Sequence, residues 1–294
     1  MTASLNTTVL NLGRQYPEWQ PWLTVIEEVL REAADSKWET MVSAPPEAQQ
    51  SKVPLLAGVT LSMDITVVGR WSERLMQAAY RSGAPKMSTL NGVHQHKRLN
   101  TVDLFKSSLC QNAKWLGKAA VELDVDADAL QAVTLLIPVP FLQACNRRWA
   151  PSIAESWSEG YCPVCGAWPA FAEVRGIERS RYLRCGRCGG GWRSRGLSCS
   201  YCGMTDHEEL VALVPEKSGS RAAIEACKRC LGYVKTFTTL QGSSPANVMV
   251  DDLASVDLDI AALERGYKRP QGPGYCFDVT IVDKINNRFS FWQA

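Results

Sequence analysis

Four Cys-x-x-Cys pairs within residues 161–233 constrain the fold of this 294-residue chain more than any other feature. Two residues between cysteines allow both sulfurs to point at one centre, and two such pairs supply the four thiolates of a tetrahedral metal site. Eight of the 11 cysteines lie in these pairs. The stretch therefore predicts two four-cysteine metal sites.

The pairs form an internal repeat. The leading pair of each repeat, Cys162/Cys165 in the first and Cys199/Cys202 in the second, is followed directly by a glycine. From the leading pair to the next, 19 residues separate Cys165 from Cys185, and 24 separate Cys202 from Cys227. These spacers suit a rubredoxin-like or zinc-ribbon-like site, in which two turns, called knuckles, face each other across a hairpin. The simplest pairing gives one metal the ligands Cys162, Cys165, Cys185 and Cys188, and the other Cys199, Cys202, Cys227 and Cys230. A crossed pairing between the two sets stays open.

An all-sulfur tetrahedral site takes zinc or a single iron, and the spacing does not decide between them. Four cysteine ligands also leave no open position for a substrate, which argues against a catalytic metal. The chain has no nucleophile elbow, phosphate-binding loop or dinucleotide fingerprint. We therefore predict no catalytic residues and a protein that is not an enzyme. The metals either hold the fold, or assist electron transfer or the regulation of a partner.

A run of arginines accompanies the first pair of knuckles. Its members are Arg175, Arg179, Arg181, Arg184, Arg187, Arg193 and Arg195. One interpretation is charge balance, because four thiolates around a divalent metal carry a net charge of about −2. The other is a docking face for an acidic partner surface or nucleic-acid phosphate. The run does not form an aromatic-interleaved basic track of the kind that stacks bases, so the sequence disfavours nucleic acid.

The rest of the chain reads as helical before the cysteines. Residues 1–14 show no clear apolar period and are expected to form a flexible arm. Residues 15–158 are predicted to form an all-helical domain. Its apolar residues recur at helical spacing over 21–35, 64–80, 102–121 and 126–148, the last stretch divided by Pro138 and Pro140.

The cysteine-rich part divides into two predicted subdomains, 159–196 and 197–240, each with one metal site. Residues 241–294 are predicted to hold a closing helix over 251–266, ending at Gly266, and a tail that is a strand or an extended arm. The fold class is therefore α+β. A helical N-terminal domain is followed by a duplicated rubredoxin-like or zinc-ribbon-like module and a C-terminal helix.

Composition points to a reduced, aqueous compartment. Residues 1–14 lack the apolar core of a secretory signal, and no uninterrupted apolar run approaches the roughly 18 residues that span a bilayer. Local, ordered pairing of cysteines is typical of metal ligands in the cytosol rather than of secreted disulfides. We therefore expect a cytoplasmic protein without membrane insertion, and a homodimer stays open.

These motifs resemble the FdhE family of formate dehydrogenase accessory proteins. The resemblance rests on Tyr161-Cys162-Pro163-Val164-Cys165-Gly166, Leu183-Arg184-Cys185, Trp192, the remaining cysteine pairs, Pro54-Leu55-Leu56-Ala57-Gly58, Asp251-Asp252-Leu253-Ala254, Leu258-Asp259 and Glu264-Arg265-Gly266-Tyr267. It covers most of residues 15–268. The chain departs from the expected pattern after Arg269-Pro270, where it continues with Cys276, Phe277, Phe289 and Trp292.

The resemblance implies a cytoplasmic maturation factor. Such a factor binds the catalytic (alpha) subunit of a respiratory, molybdenum- or tungsten-containing formate dehydrogenase before that subunit is exported. It also implies two rubredoxin-like sites on the eight paired cysteines, with iron as the metal. Two alternatives are an iron-containing electron-transfer protein and a zinc-ribbon nucleic-acid binder.

Overall fold

The structure, a computed structural model, describes residues 3–46, 52–93, 99–216, 219 and 221–284, with the backbone alone for residues 3–6. The chain divides into two compact units. The first contains residues 1–44, 57–148 and 277–294, and the second contains residues 45–56 and 149–276. The mixture of helices and sheet agrees with the predicted α+β class.

Helices build most of the first unit. They are α1 (Ala3–Gln15), α2 (Gln20–Ala33), α3 (Ile65–Arg81), α4 (Thr101–Leu109), α5 (Ala113–Leu123), α6 (Ala127–Thr134) and α7 (Val139–Trp149). Residues 3–15 are helical where the sequence analysis expected a flexible arm. Val9 and Leu12, three residues apart, are buried on one face of α1, and this burial stabilises a helix that lacks an obvious apolar period.

The helices predicted over 21–35 and 64–80 are confirmed by α2 and α3. The single helix predicted over 102–121 is wrong, because α4 and α5 are separate. Gln111 adopts a left-handed φ of 54° between them. The side-chain oxygen of Asn112 then accepts a hydrogen bond from the Trp115 amide at 3.0 Å and caps α5. A local capping signal thus outweighs the continuous apolar pattern.

The predicted break at Pro138 and Pro140 is confirmed, since α6 ends at Thr134 and α7 begins at Val139. By length and composition alone, the stretch Ala127–Ser152 could cross a membrane. However, 72% of its most apolar window is buried inside the protein. The core helices of a water-soluble protein have the same property.

Large aromatic side chains fill the core of the first unit. Trp38 and Trp71 are almost completely buried, as are Phe105 and Phe141. The Trp71 indole donates a hydrogen bond to the carbonyl of Ile137 at 2.9 Å, so the polar atom of this buried ring is satisfied.

The tail returns to the first unit as a strand. Thr60–Met63 (β1) and Thr280–Asp283 (β8) form a two-stranded parallel sheet, with Thr60 opposite Thr280. The predicted strand in the tail is therefore observed up to Asp283, whereas Phe289 and Trp292 lie outside the described residues. The strand β1 was not predicted from the sequence, because its four residues are too few for a recognisable alternation of apolar and polar side chains.

A six-stranded sheet organises the second unit. Its strands are β2 (Phe171–Arg175), β3 (Ser180–Arg184), β4 (Gly191–Arg193), β5 (Leu210–Leu213), β6 (Ala222–Cys227) and β7 (Tyr233–Thr239). They lie in the order β4-β3-β2-β7-β6-β5. Each half is an antiparallel trio that follows one leading knuckle, and β2 joins β7 in parallel. The two repeats therefore share one sheet, head to tail, rather than forming separate subdomains at residue 196.

The helix predicted over 251–266 is wrong, because two short helices, α8 (Val248–Leu253) and α9 (Val256–Glu264), take its place. The Ser255 hydroxyl between them donates to the carbonyl of Asp251 at 2.9 Å, and such side-chain bonding to the backbone disfavours a continuous helix. A small core cluster between α9 and the sheet consists of Ala262 on α9 and of Ile224, Ala226 and Tyr233 on the strands. It fastens the closing segment to the second half of the sheet.

Candidate metal centres

The first four-cysteine group contains Cys162, Cys165, Cys185 and Cys188. Its sulfur atoms all lie within 4.8 Å of one another. The Sγ atoms of Cys162 and Cys188 are 3.5 Å apart, as are those of Cys165 and Cys185. Sulfurs at about 2.3 Å from a tetrahedral metal are separated by about 3.8 Å. The group therefore has nearly the dimensions of an all-sulfur metal site.

The second group contains Cys199, Cys202, Cys227 and Cys230, and its sulfurs also lie within 4.8 Å of one another. Sγ–Sγ distances are 3.6 Å between Cys199 and Cys230, and 3.7 Å between Cys202 and Cys227. The simplest pairing inferred from the sequence is the one that the structure brings together. All eight cysteines are free of disulfides, and their spacing far exceeds the roughly 2.05 Å of a disulfide bond.

Each knuckle has the same backbone geometry. The amide of its first cysteine donates to the carbonyl five residues later, at distances of 2.8 to 2.9 Å. These pairs are Cys162 to Ala167, Cys185 to Gly190, Cys199 to Met204 and Cys227 to Gly232. The residue after the second cysteine has a left-handed φ in every knuckle, namely Gly166, Gly189, Gly203 and Leu231. Four copies of one turn thus aim their sulfurs at two centres.

The donor set fits a thiophilic metal. Backbone amides point at the sulfurs, for example Gly190 at Cys188 Sγ (3.4 Å) and Gly232 at Cys230 Sγ (3.4 Å). Such amides stabilise negative charge on a thiolate. Burial raises the pKa of the Cys162 thiol, and a bound metal favours the thiolate by displacing its proton. The geometry suits zinc and iron equally.

Three members of the arginine run, Arg175, Arg181 and Arg184, form ion pairs with acids inside the protein. The Arg184 guanidinium is 3% exposed and donates to Glu173, itself 1% exposed, at 3.0 Å. Arg175 Nε reaches the same carboxylate at 2.8 Å. Burial acts to raise the pKa of Glu173, but the Ser243 amide and these guanidiniums outweigh it and lower the pKa. This cluster ties β2 to β3 and to the chain after β7.

Arg181 is also buried, at 6% exposure, and its guanidinium meets the Glu225 carboxylate at 2.7 Å. Arg187 is half-buried, whereas Arg179, Arg193 and Arg195 are exposed. The run is therefore not one continuous docking face. Arg181 and Arg184 lie three residues apart in β3, so their side chains lie on opposite faces of the sheet, and each is buried against an acid from another strand. The sequence offered no sign that these acids would meet them.

A second buried ion cluster was not predicted from the sequence. Lys235 is 0% exposed and lies 2.7 Å from an oxygen of Asp252 and 2.8 Å from one of Asp259. Arg269 contacts the same two carboxylates at 2.7 and 2.8 Å. The cluster fastens α8 and α9 to β7. A lysine within the apolar strand, and two acids seven residues apart, were the signals that could have revealed it.

Comparison with known proteins supports the resemblance to the FdhE family. Residues 197–274 match the family model described as FdhE, C-terminal domain. The resemblance to the FdhE family is confirmed. The FdhE match covers the second four-cysteine group, α8, α9 and the Lys235 cluster.

Curated FdhE proteins align with part of the chain. A Pseudomonas aeruginosa FdhE homolog is 34% identical over 146 residues, which is 45% of this chain and 47% of the relative. An Aquifex aeolicus homolog is 32% identical over 116 residues, 38% of this chain and 40% of the relative. Escherichia coli FdhE is 33% identical over 112 residues, 37% of this chain and 35% of the relative. These alignments span less than half the length of each relative.

The crystal structure of the FdhE protein from Pseudomonas aeruginosa superposes with a TM-score of 0.59. The superposition covers 94% of this chain and 95% of that one, at 20% sequence identity. At this identity the likeness shows a shared fold. The fold of this chain, with its helices followed by a sheet-containing unit, is thus shared with that FdhE protein.

Proposed function

We propose that this protein is a cytoplasmic accessory factor that binds the catalytic subunit of a respiratory formate dehydrogenase and assists its maturation before export. The observation that carries the proposal is the FdhE C-terminal match over residues 197–274, which include the second four-sulfur group. Both groups are closed shells of cysteine, so the chemistry that they support is metal binding rather than turnover of a substrate. Each metal would be held by its four thiolates.

The exposed part of the arginine run supplies a contact surface for that subunit. Arg195 and Lys52 line a cleft of about 560 Å³ in the second unit, and Glu159 is the acid among its lining residues. Arg193, two residues from Arg195, is also exposed. Exposed guanidiniums of this kind suit an acidic protein surface, because they form bidentate contacts with carboxylates. We therefore place the docking surface at Arg193, Arg195 and the cleft.

An anaerobic pull-down tests the proposal. The tagged full chain is expected to recover a formate dehydrogenase catalytic subunit from a cell extract, and the double variant Arg193→Glu/Arg195→Glu is expected to recover much less. The double variant Lys114→Glu/Lys118→Glu changes the charge equally on exposed residues of the first unit and serves as the control. Failure of the unmodified chain to recover the subunit contradicts the function, and equal recovery by both variants contradicts the surface.

A second candidate is electron transfer by rubredoxin-like iron. Exposure of Cys202 favours it, since electrons pass efficiently to a centre that reaches the surface. Anaerobically purified protein would then show the visible spectrum of ferric tetrathiolate and bleach reversibly on reduction. A colourless protein that contains zinc alone rules this role out. Nucleic-acid binding is disfavoured because Arg175, Arg181 and Arg184 are paired with acids and so do not contribute to a basic face.

A further inference from the structure

We propose that the second four-cysteine site is an exchangeable metal site that opens to solvent at the Cys202 sulfur, whereas the first site traps its metal. The inference rests on the contrast between two copies of one turn. It does not depend on binding to a dehydrogenase, so it can be tested independently of the function proposed above.

Cys165 and Cys202 are matched residues. Each is the second cysteine of a leading knuckle, and each is followed by a glycine with left-handed φ, 66° at Gly166 and 71° at Gly203. Cys165 is completely buried, as are the other three sulfur ligands of its group. Cys202 is exposed, and Cys199 and Cys230 are half-buried. Identical local geometry therefore stands in two different surroundings.

Segments from distant parts of the chain cover the first leading knuckle. Leu55 and Leu56 donate their amides to the carbonyls of Pro163 and Val164, at 2.8 and 3.1 Å. The amide of Tyr275 donates to the Gly166 carbonyl at 2.9 Å. A Cβ on Gly166 would lie 2.9 Å from the Tyr275 carbonyl oxygen. This knuckle is sealed by backbone on its outer face.

The second leading knuckle packs against the backbone of Gly160 at Ser200, but it is open on the side of Cys202 and Gly203. A Cβ on Gly203 would meet no atom within 4 Å among the residues that the structure describes. Cys202 and Gly203 instead line the cleft that also contains Lys52 and Arg195. The trailing knuckles are the second knuckle of each site, Cys185–Cys188 and Cys227–Cys230, and they differ in the same direction. In the first site, a Cβ on Gly189 would lie 2.3 Å from the Pro245 carbonyl oxygen. In the second site, the matching residue Leu231 is 46% exposed.

This contrast controls how a metal can leave. A chelator removes a metal by replacing its ligands one at a time, and the first replacement needs access to the metal beside an accessible sulfur. At Cys202 the cleft provides that access in the folded state. At the first site the same step requires local opening of the covering segments, which carries a free-energy cost. Lys52 is paired with Glu159 at 3.6 Å, so Arg195 is the lining residue that favours an anionic, multidentate small molecule as the exchange partner.

Zinc release from the intact chain tests the inference. The full chain loaded with two zinc ions is mixed with excess EDTA, and native mass spectrometry follows the species with two, one and no zinc. We expect one zinc to leave at least about tenfold faster than the other, because one release needs no opening of the fold. Release of both ions at one rate overturns the inference.

Matched variants identify the faster site. Cys202→Ser is expected to eliminate the fast phase and leave one slowly released zinc, whereas Cys165→Ser is expected to leave one rapidly released zinc. Should Cys165→Ser fail to fold, alkylation of the zinc-loaded native chain by N-ethylmaleimide decides the matter. Cys276, exposed and outside both groups, is the reference for full reactivity. Labelling of Cys202 before the four cysteines of the first group supports the inference, and labelling of Cys162 or Cys165 first overturns it.

Discussion

Gly189 and Leu231 occupy the same position in the two trailing knuckles, immediately after Cys188 and Cys230. Their φ angles are 73° and 57°, so both adopt the left-handed conformation that costs an ordinary residue about 1–2 kcal/mol. The Pro245 backbone crowds Gly189, whereas Leu231 projects to solvent. The repeat thus retains one turn and varies its side chain according to what covers it.

Gly189→Ala should therefore be severely destabilising. Its new Cβ would lie 2.3 Å from the carbonyl oxygen of Pro245, and relief requires movement of backbone at a cost of about 3 kcal/mol or more. Leu231→Gly, the matched control, should change the free energy of unfolding by less than about 1 kcal/mol, since relief of strain offsets the greater freedom of glycine in the unfolded chain. Urea unfolding of the zinc-loaded chain measures both. Equal stability of the two variants would show that the Pro245 contact is not maintained in solution.

Substitution of Arg184 should destabilise the protein much more than substitution of Arg195, although both belong to the same arginine run. Arg184→Ala leaves the buried Glu173 carboxylate with one guanidinium fewer and should lower the free energy of unfolding by about 3 kcal/mol. Arg195 is exposed, so Arg195→Ala should change it by less than about 0.5 kcal/mol. Thermal or urea unfolding followed by circular dichroism tests the pair. A loss in Arg195→Ala as large as that in Arg184→Ala would refute the division of the run into buried and exposed parts.

Asp259→Asn should destabilise the second unit at neutral pH. It removes one of two carboxylates beside Lys235, whose side chain is 0% exposed. The free energy of unfolding should fall by about 2–3 kcal/mol, because the positive charge of the buried Lys235 ammonium is then only partly balanced by the remaining carboxylate. Urea unfolding at pH 7 gives the value. Wild-type stability in this variant would indicate that Asp252 alone satisfies Lys235.

The contribution of Asp259 to the free energy of unfolding should disappear in acid. Burial acts to raise its pKa, but the charge of Arg269 and the contact with Lys235 outweigh burial and lower the pKa below the ordinary 3.8. A group with a lowered folded pKa stabilises fully above its unfolded value and ceases to do so as the pH falls through the folded one. The stability difference between wild type and Asp259→Asn should thus be constant at pH 5–8 and shrink below about pH 4. A difference that changes between pH 8 and pH 6 would contradict this assignment.

Asp251, on the neighbouring turn, should behave in the opposite way. Burial raises its pKa, and the charge of Glu173 acts in the same direction. A raised carboxyl pKa means that stability falls as the pH rises through the folded pKa. Asp251→Asn should therefore be slightly more stable than the wild type at pH 7, with the gain vanishing toward pH 4. Comparison with Asp259→Asn in the same urea series provides the control, and destabilisation of both variants at pH 7 would refute the prediction.

Asn112→Ala should weaken the helical unit by about 1 kcal/mol, because it removes the side-chain cap of α5. Asn112→Asp retains an oxygen acceptor at the same position and should lie close to the wild type. The unfolding midpoint of the first unit distinguishes them. Identical midpoints for the alanine and aspartate variants would show that the cap does not stabilise the break between α4 and α5.

Local chemistry explains which elements were predictable. Asp64 before an apolar period locates the start of α3, and Pro138 and Pro140 divide α6 from α7, because caps and prolines act within a few residues. The division at Asn112 was missed since apolar residues continue at helical spacing through it. β1 was missed for a different reason. It is stabilised by Thr280–Asp283, a partner about 220 residues away.

The eight ligands and their simplest pairing follow from sequence alone, because two cysteines separated by two residues form a turn that is complete in itself. The surroundings of each turn do not follow from the sequence alone. Leu55, Leu56 and Tyr275 cover the first leading knuckle from remote positions, and Glu173 and Glu225 pair with arginines that look exposed in the sequence. Sequence thus determined that two metal sites can form. Tertiary structure decided which one is sealed and which arginines remain at the surface, since burial depends on contacts between segments far apart in the chain.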